Sequence, residues 1–190
     1  MARNPKTTWE MLDHAMAHYQ AYISSKNQRF SLSIVDFLHV SNFKGGNASI
    51  TEPVVTLVEK LESYEKVLID IDKNFNGKNL RQLSAQETGE LISLCKNVTD
   101  LTKNNNTKIR GFGASYASAL LSAHFMDLIP VLDRRILNGA GIKVEYNRQM
   151  QVKNIANYYG DLIKACQTEL LKRKNLTLRE LDKEWFTKAL

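Results

Sequence analysis

Apolar side chains recur at steps of three and four residues along most of this chain, and that spacing is typical of packed helices. The pattern predicts long helices over 7–25, 53–72, 84–101, 155–171 and 177–190, and shorter ones over 115–125 and 134–139. The apolar segment 30–40 is also predicted to be helical, because no segment with a period of two is present to pair with it as a strand. We therefore predict an all-α fold in which residues 1–190 form one domain.

Local signals place several helix starts. Thr7 or Thr8 is suited to cap the first helix, and Ser84 with Glu87 makes a capping box for the fourth. Pro53 suits the first turn of a helix.

Composition restricts the class of protein. The hydrophobic fraction is 43%, and 26 basic against 20 acidic residues give a net charge of +6. That charge favours a polyanionic partner, although many basic proteins have none. No apolar run has the length of a membrane span, and the first residues do not resemble a signal peptide. A soluble protein of the cytoplasm is expected, as a monomer.

The cysteines and histidines do not predict a metal site or a cofactor. Cys95 and Cys166 each lie inside an apolar helical pattern, so we expect both to fill the core. His14 and His18 are one helical turn apart, but no HExxH pattern surrounds them, so we interpret this spacing as a solvated helix face.

The polar segment 41–49 contains two adjacent glycines. One interpretation is a plain connection between helices. The other is a loop that faces a ligand, where the glycines permit close approach and Asn42, Lys44 and Asn47 supply hydrogen-bond donors.

The segment 109–133 combines a glycine turn, an apolar helix, a proline-marked link and a carboxylate. Backbone amides of the turn and of the helix start that follows it are suited to hold one phosphate of a DNA strand. The candidate residues for this contact are Gly111, Phe112, Gly113 and Ser115. Arg134 and Arg135 are further candidates for phosphate contacts, unless they belong to a solvated basic face.

Asp133 follows the extended link 129–132 and allows two interpretations. As a helix N-cap it has a purely structural role, which is common for aspartate. At the mouth of a cleft, an ionised carboxylate can instead stabilise an oxocarbenium-like sugar and position water for attack on the anomeric carbon.

The order of these features resembles the signature of helix-hairpin-helix DNA glycosylases over about 30 residues. In that superfamily a Leu-Pro-Gly-Val-Gly hairpin leads to an alanine-rich helix, and a catalytic aspartate ends a short extended segment. The present chain has Gly111-Phe112-Gly113, then Ala117, and Asp133 after Pro130. It departs at Arg110, which replaces the usual proline and would add a contact to the DNA backbone, and it lacks the four cysteines that hold the iron–sulfur cluster of several members.

The resemblance implies a two-lobed helical domain with a cleft between the lobes and with the hairpin and catalytic segment at about 104–139. Asp133 would be the catalytic carboxylate, and Asp36 would occupy the place of a second acid. Members with lyase activity carry a lysine where this chain has Ser115, so the resemblance implies a monofunctional enzyme that uses water and needs no cofactor. Double-stranded DNA with a damaged or modified base would be the substrate, in base excision repair or in defence against phage DNA.

The residues leave two other classes of protein open. A non-catalytic helix-hairpin-helix module would bind DNA and use Asp133 only as a cap. A protein-interaction domain would carry its positive charge incidentally.

Overall fold

A computed structural model describes residues 8–46 and 50–188 of the protein. That part of the chain contains eight α-helices and no β-strand, which confirms the all-α prediction. The helices are α1 (Trp9–Ser25), α2 (Ile34–Phe43), α3 (Val54–Phe75), α4 (Ala85–Leu101), α5 (Ala114–His124), α6 (Arg134–Gly139), α7 (Tyr159–Lys172) and α8 (Leu178–Lys188). Short 3-10 turns at Leu80–Gln82 and Ile155–Tyr158 precede α4 and α7.

Capping side chains determine where several helices begin. Thr8 caps α1, and the predicted capping box of Ser84 and Glu87 is present at α4. Helix α2 starts at Ile34, later than predicted, because Ser33 and Asp36 form a second capping box there. The predicted long helix over 155–171 starts with a 3-10 turn and becomes α-helical at Tyr159.

Residues from every α-helix contribute to one hydrophobic core. Helix α1 packs on α2, α4 packs on α3, α5 and α7, and α6 packs on α8. Both cysteines are fully buried and unpaired, as predicted. No helix in the described ranges is long and apolar enough to cross a membrane.

Candidate functional site

The glycine turn lies between α4 and α5 and is anchored to the core by one aromatic ring. Gly111 has a φ of 82°, a left-handed conformation that favours glycine. Phe112 is buried, with its ring 4.3 Å from that of Phe37 and 5.9 Å from that of Tyr64. Its side chain therefore fixes the turn and cannot contact DNA.

The backbone amides of this turn have different partners. The Phe112 amide donates to the Ile109 carbonyl, and the Arg110 amide donates to Glu52 Oε1 at 3.0 Å. Gly113 is the N-cap residue of α5, and no side chain caps this helix. The helix dipole places partial positive charge at this end of α5.

Glu52 ties the end of the glycine-containing loop to this turn. Its Oε2 lies 2.6 Å from Lys60 Nζ, and Lys60 also donates to the carbonyl of Lys108 at 2.7 Å. Burial raises the pKa of the Glu52 carboxyl, but the hydrogen bonds from Lys60 and the Arg110 amide, together with the charge of Lys60, outweigh burial and lower the pKa from its ordinary value. The predicted surface cation Arg110 itself is exposed.

Two serines on α5 hold the extended link that precedes Asp133. Ser115 Oγ donates to the Leu132 carbonyl at 2.8 Å, and the Leu132 amide donates to Ser118 Oγ at 2.9 Å. The neighbouring carbonyl of Pro130 accepts from the Tyr159 hydroxyl. Ser115 therefore positions the backbone next to Asp133 rather than presenting its hydroxyl to solvent.

Asp133 is the N-cap residue of α6 and also a member of a buried ion pair. Its Oδ1 accepts from the Arg135 amide at 2.9 Å, and its Oδ2 lies 2.8 Å from Lys44 Nζ. The side chains of Lys44 and Asp133 are only 4% and 6% exposed, so the pair is shielded from solvent. A carboxylate held in this way has a defined orientation and a cation against one oxygen.

The structure places two candidate residues of the polar segment after α2 in different environments. Lys44, a donor in the interpretation as a ligand-facing loop, is buried and pairs with Asp133. Asn42 is exposed on the last turn of α2. The predicted contact residue Asn47 lies outside the described residues.

Asp36, the predicted second acid, is completely buried between α1 and α2. Its oxygens accept from the Tyr19 hydroxyl at 3.1 Å, Lys26 Nζ at 3.0 Å and the Ser33 amide at 2.8 Å. Burial, followed by the charge of Asp36, raises the pKa of Tyr19. Asp36 and Asp133 thus bind different sets of residues, and the contacts of Asp36 are those of a helix-capping group.

The two predicted arginines contact the protein itself. Arg134 Nη1 donates to the Met150 carbonyl at 2.7 Å. The guanidinium of Arg135 lies 4.7 Å from the ring centre of Phe186 on α8. Both side chains are half-buried, so each has a structural contact whether or not it also binds phosphate.

Asp182 on α8 belongs near this site and was not predicted. It is 2% exposed, and burial raises its pKa to about 7. The charge of Asp133 adds to this rise, whereas Arg179, the Val131 amide and Lys44 oppose it. The signal in the sequence was its position on the apolar face of α8, one turn from Leu178.

A cavity of about 420 Å³ lies at the opposite end of α5 from the glycine turn, and its lining includes Lys26, Arg29 and His124. Both ring nitrogens of His124 are buried without a hydrogen-bond partner. Burial lowers the pKa of His124 to about 3, and the charges of Lys26 and Arg29 add to this shift, so its imidazole is neutral at physiological pH.

The described residues contain no group of three or more histidine, cysteine, aspartate or glutamate side chains placed to hold a metal ion. Comparison of the chain with protein-family models, curated proteins and solved structures found no match.

Proposed function

We propose that this protein is a monofunctional DNA glycosylase that flips a damaged or modified base out of double-stranded DNA and excises it with water as the nucleophile. The observation that carries the proposal is the position of Asp133. The carboxylate follows a link that two serines of α5 hold, and the same helix begins at the glycine turn. A phosphate-binding turn and a carboxylate would thus share one rigid support.

In the proposed reaction, the amides around Gly111 and Gly113 hold a phosphate of the strand that carries the flipped nucleotide. The ionised Asp133 stabilises the positive charge that develops on the sugar as the base leaves, and it orients the attacking water. Arg110 and Asn42 supply further contacts to DNA from exposed positions.

The proposal includes the architecture that the resemblance implies, with a helix-hairpin-helix motif and a cleft between two lobes. Since Asp133 is buried under Lys44, entry of the flipped sugar requires the Lys44 side chain to move aside. Two glycines with a left-handed backbone conformation follow Lys44: Gly45 has a φ of 86° and Gly46 a φ of 72°. Asp36 is given no chemical step, because three donors already satisfy it.

Replacement of Asp133 by asparagine tests the proposal. Asp133→Asn keeps the shape of the side chain but removes its charge, so base release should fall by roughly two to four orders of magnitude, about 3–5 kcal/mol in barrier. The measurement is release of free base from duplexes with a panel of modified bases, including phage genomic DNA.

Asp36→Asn is the matched control, because Asp36 is also a buried capping carboxylate paired with a lysine. We expect this variant to retain base release in proportion to the folded fraction. If Asp133→Asn is folded and releases base as fast as the parent protein, Asp133 has no catalytic role.

A second candidate function is a non-catalytic DNA-binding module. The observation that favours it is that both Asp133 oxygens already have protein partners, as expected for a structural cap. An assay for alkali-labile sites separates the two functions, because a binding module leaves the glycosidic bonds of every duplex in the panel intact.

A further inference from the structure

A buried histidine and two cations lie together at the cavity near the C-terminal ends of α1 and α5. His124 is only 3% exposed, and neither nitrogen of its ring has a hydrogen-bond partner within residues 8–46 and 50–188. A buried polar group without a partner is costly, and in native proteins such a group usually binds water or a ligand. We therefore expect this ring to have a partner from outside the chain.

The charged side chains that line the cavity are both basic. Lys26 and Arg29 belong to its lining, and no acidic side chain of the described ranges does. Lys26 Nζ donates to Asp36 Oδ1 at 3.0 Å, and the Arg29 guanidinium donates to the His124 carbonyl. An ammonium group carries three donors and a guanidinium five, so both cations keep further donors for a ligand.

The two nearest aspartates lie outside the cavity lining. Asp36 is fully buried behind Lys26, and Asp72 Oδ1 lies 3.8 Å from Arg29 Nη1, which is longer than a hydrogen bond. Burial is the main cause of the lowered pKa of His124, and the charges of Lys26 and Arg29 add to it. Both cations therefore act on the imidazole itself, and the cavity presents positive charge beside an uncharged ring.

We propose that this cavity binds a small molecule through a phosphate monoester group, which Lys26, Arg29 and His124 contact. Phosphate oxygens accept charge-assisted hydrogen bonds from ammonium and guanidinium groups. A neutral imidazole has one donor and one acceptor nitrogen. A singly protonated phosphate monoester has acceptor oxygens and an O–H donor, so it can bind whichever nitrogen faces the cavity, whereas sulfate and ionised carboxylates only accept.

The cavity has room for more than the phosphate. Its volume of about 420 Å³ lies within the range of about 300–1,000 Å³ that is typical of small-molecule sites. Ile23, Ala123 and Met126 provide apolar surface, and Gln20 and Ser24 provide polar groups. This mixed wall suits the carbon skeleton and hydroxyl groups of a sugar phosphate. The site is separate from the proposed glycosylase reaction, because it lies at the other end of α5 from the glycine turn.

The experiment follows the His124 ring by NMR in the full chain during titration with ribose 5-phosphate at constant ionic strength. A pH of about 6 is used, because both ionic forms of a phosphate monoester are then present. We expect the ring resonances of His124 to shift until saturation. The melting temperature should rise with ligand concentration, since a ligand of the folded state stabilises it. Sodium sulfate should leave these resonances unchanged.

His124→Phe separates ligand binding from a structural role. Phenylalanine is similar in size but lacks the two unpaired nitrogens, so without ligand the variant should be at least as stable as the parent protein. Its affinity for ribose 5-phosphate, measured by calorimetry, should be roughly 10- to 100-fold lower, the effect of one hydrogen bond to a charged group. Arg29→Gln should weaken binding to a similar degree. His14→Phe, at an exposed position of α1, is the matched control and should bind as the parent protein does.

His124 resonances that do not shift, or that shift without saturation, overturn the inference. Undiminished affinity of folded His124→Phe also overturns it, because the ligand would then bind elsewhere. Equal binding of sulfate and ribose 5-phosphate would contradict the assignment to a phosphate monoester. The titration contains no DNA, so its result is independent of the base-release assay.

Discussion

Asp182 shows how a single buried side chain links the stability of this protein to pH. The carboxyl lies on α8, and its buried Oδ1 has no hydrogen-bond partner among residues 8–46 and 50–188. Its pKa is raised from 3.8 to about 7, chiefly by burial. The charge of Asp133 raises the pKa further, whereas Arg179, the Val131 amide and Lys44 lower it. Protonation of Asp182 therefore favours the folded state, because the neutral form is easier to bury.

The sign of the resulting pH dependence follows from proton binding. Between pH 3.8 and about 7 the folded protein keeps a proton on Asp182 that the unfolded chain has lost, so this group's stabilising contribution decreases as pH rises through that window. Asp182→Asn should remove this decrease and stabilise the protein above pH 7 by an amount on the order of 1–3 kcal/mol. Urea denaturation at several pH values measures it.

Asp70→Asn, an exposed carboxylate on α3, is the control and should leave the pH dependence unchanged. A pH profile for Asp182→Asn that runs parallel to that of the parent protein would contradict the assignment.

At the scale of secondary-structure elements, the contact between α6 and α8 positions Asp133 relative to Asp182. Gly139, the last residue of α6, lies so close to α8 that a Cβ there would be 2.1 Å from the Trp185 carbonyl oxygen and 2.6 Å from its Cα. Backbone atoms cannot yield as a flexible side chain can, so this approach requires glycine. The same two helices carry Asp133, at the start of α6, and Asp182.

Gly139→Ala should therefore separate α6 from α8. We expect a loss of about 1–3 kcal/mol in the free energy of unfolding, the usual cost of overpacking. In the proposed reaction, displacement of Asp133 would also lower the rate of base release. Urea denaturation followed by circular dichroism measures the first effect.

Gly89→Ala in α4 is the matched control, since a Cβ at Gly89 has no neighbour within 4 Å. Alanine is the better helix former by up to about 1 kcal/mol, so this variant should be more stable than the parent protein. Equal stability of the two alanine variants would show that the α6–α8 contact is less restrictive than its geometry indicates.

At the scale of the whole molecule, the glycine turn and the C-terminal end of α7 lie at opposite ends of α4. Arg81, just before α4, donates to the Leu170 carbonyl on α7, whereas the turn follows the other end of α4. A helix of 17 residues separates them by about 25 Å. Lys103, Lys108 and Arg110 are exposed on the turn side, which is consistent with attraction of DNA to that end.

The salt dependence of DNA binding tests whether DNA binds at the glycine-turn end of α4. Each phosphate contact contributes about −0.9 to the slope of log affinity against log salt concentration. Arg110→Ala should reduce the magnitude of the slope by roughly one contact, as measured by fluorescence anisotropy with a duplex. Lys172→Ala, an exposed cation at the far end of α7, should leave the slope unchanged. Equal effects of the two variants on the slope would contradict DNA binding at the glycine-turn end of α4.

Most helices of this protein, and several of their starts, were predictable because they depend on interactions within a few residues. Helical spacing of apolar side chains identified the buried faces, including Cys95 and Cys166. The capping box of Ser84 and Glu87 is likewise local. The capping box of Ser33 and Asp36 is also local, but it was not predicted, and Asp36 was instead given the place of a second catalytic acid.

The environment of Asp133 was not predictable from local pattern. Its position as a helix cap could be anticipated, but its pairing with Lys44 joins residues 89 positions apart, and the influence of Asp182 crosses from α8. Neither contact produces a periodic pattern in the sequence, because a charged residue in a polar segment is compatible both with exposure to solvent and with contact with another helix. Packing of α2, α6 and α8 around the core brings these groups together, and burial then gives their charges a strength that they lack in water.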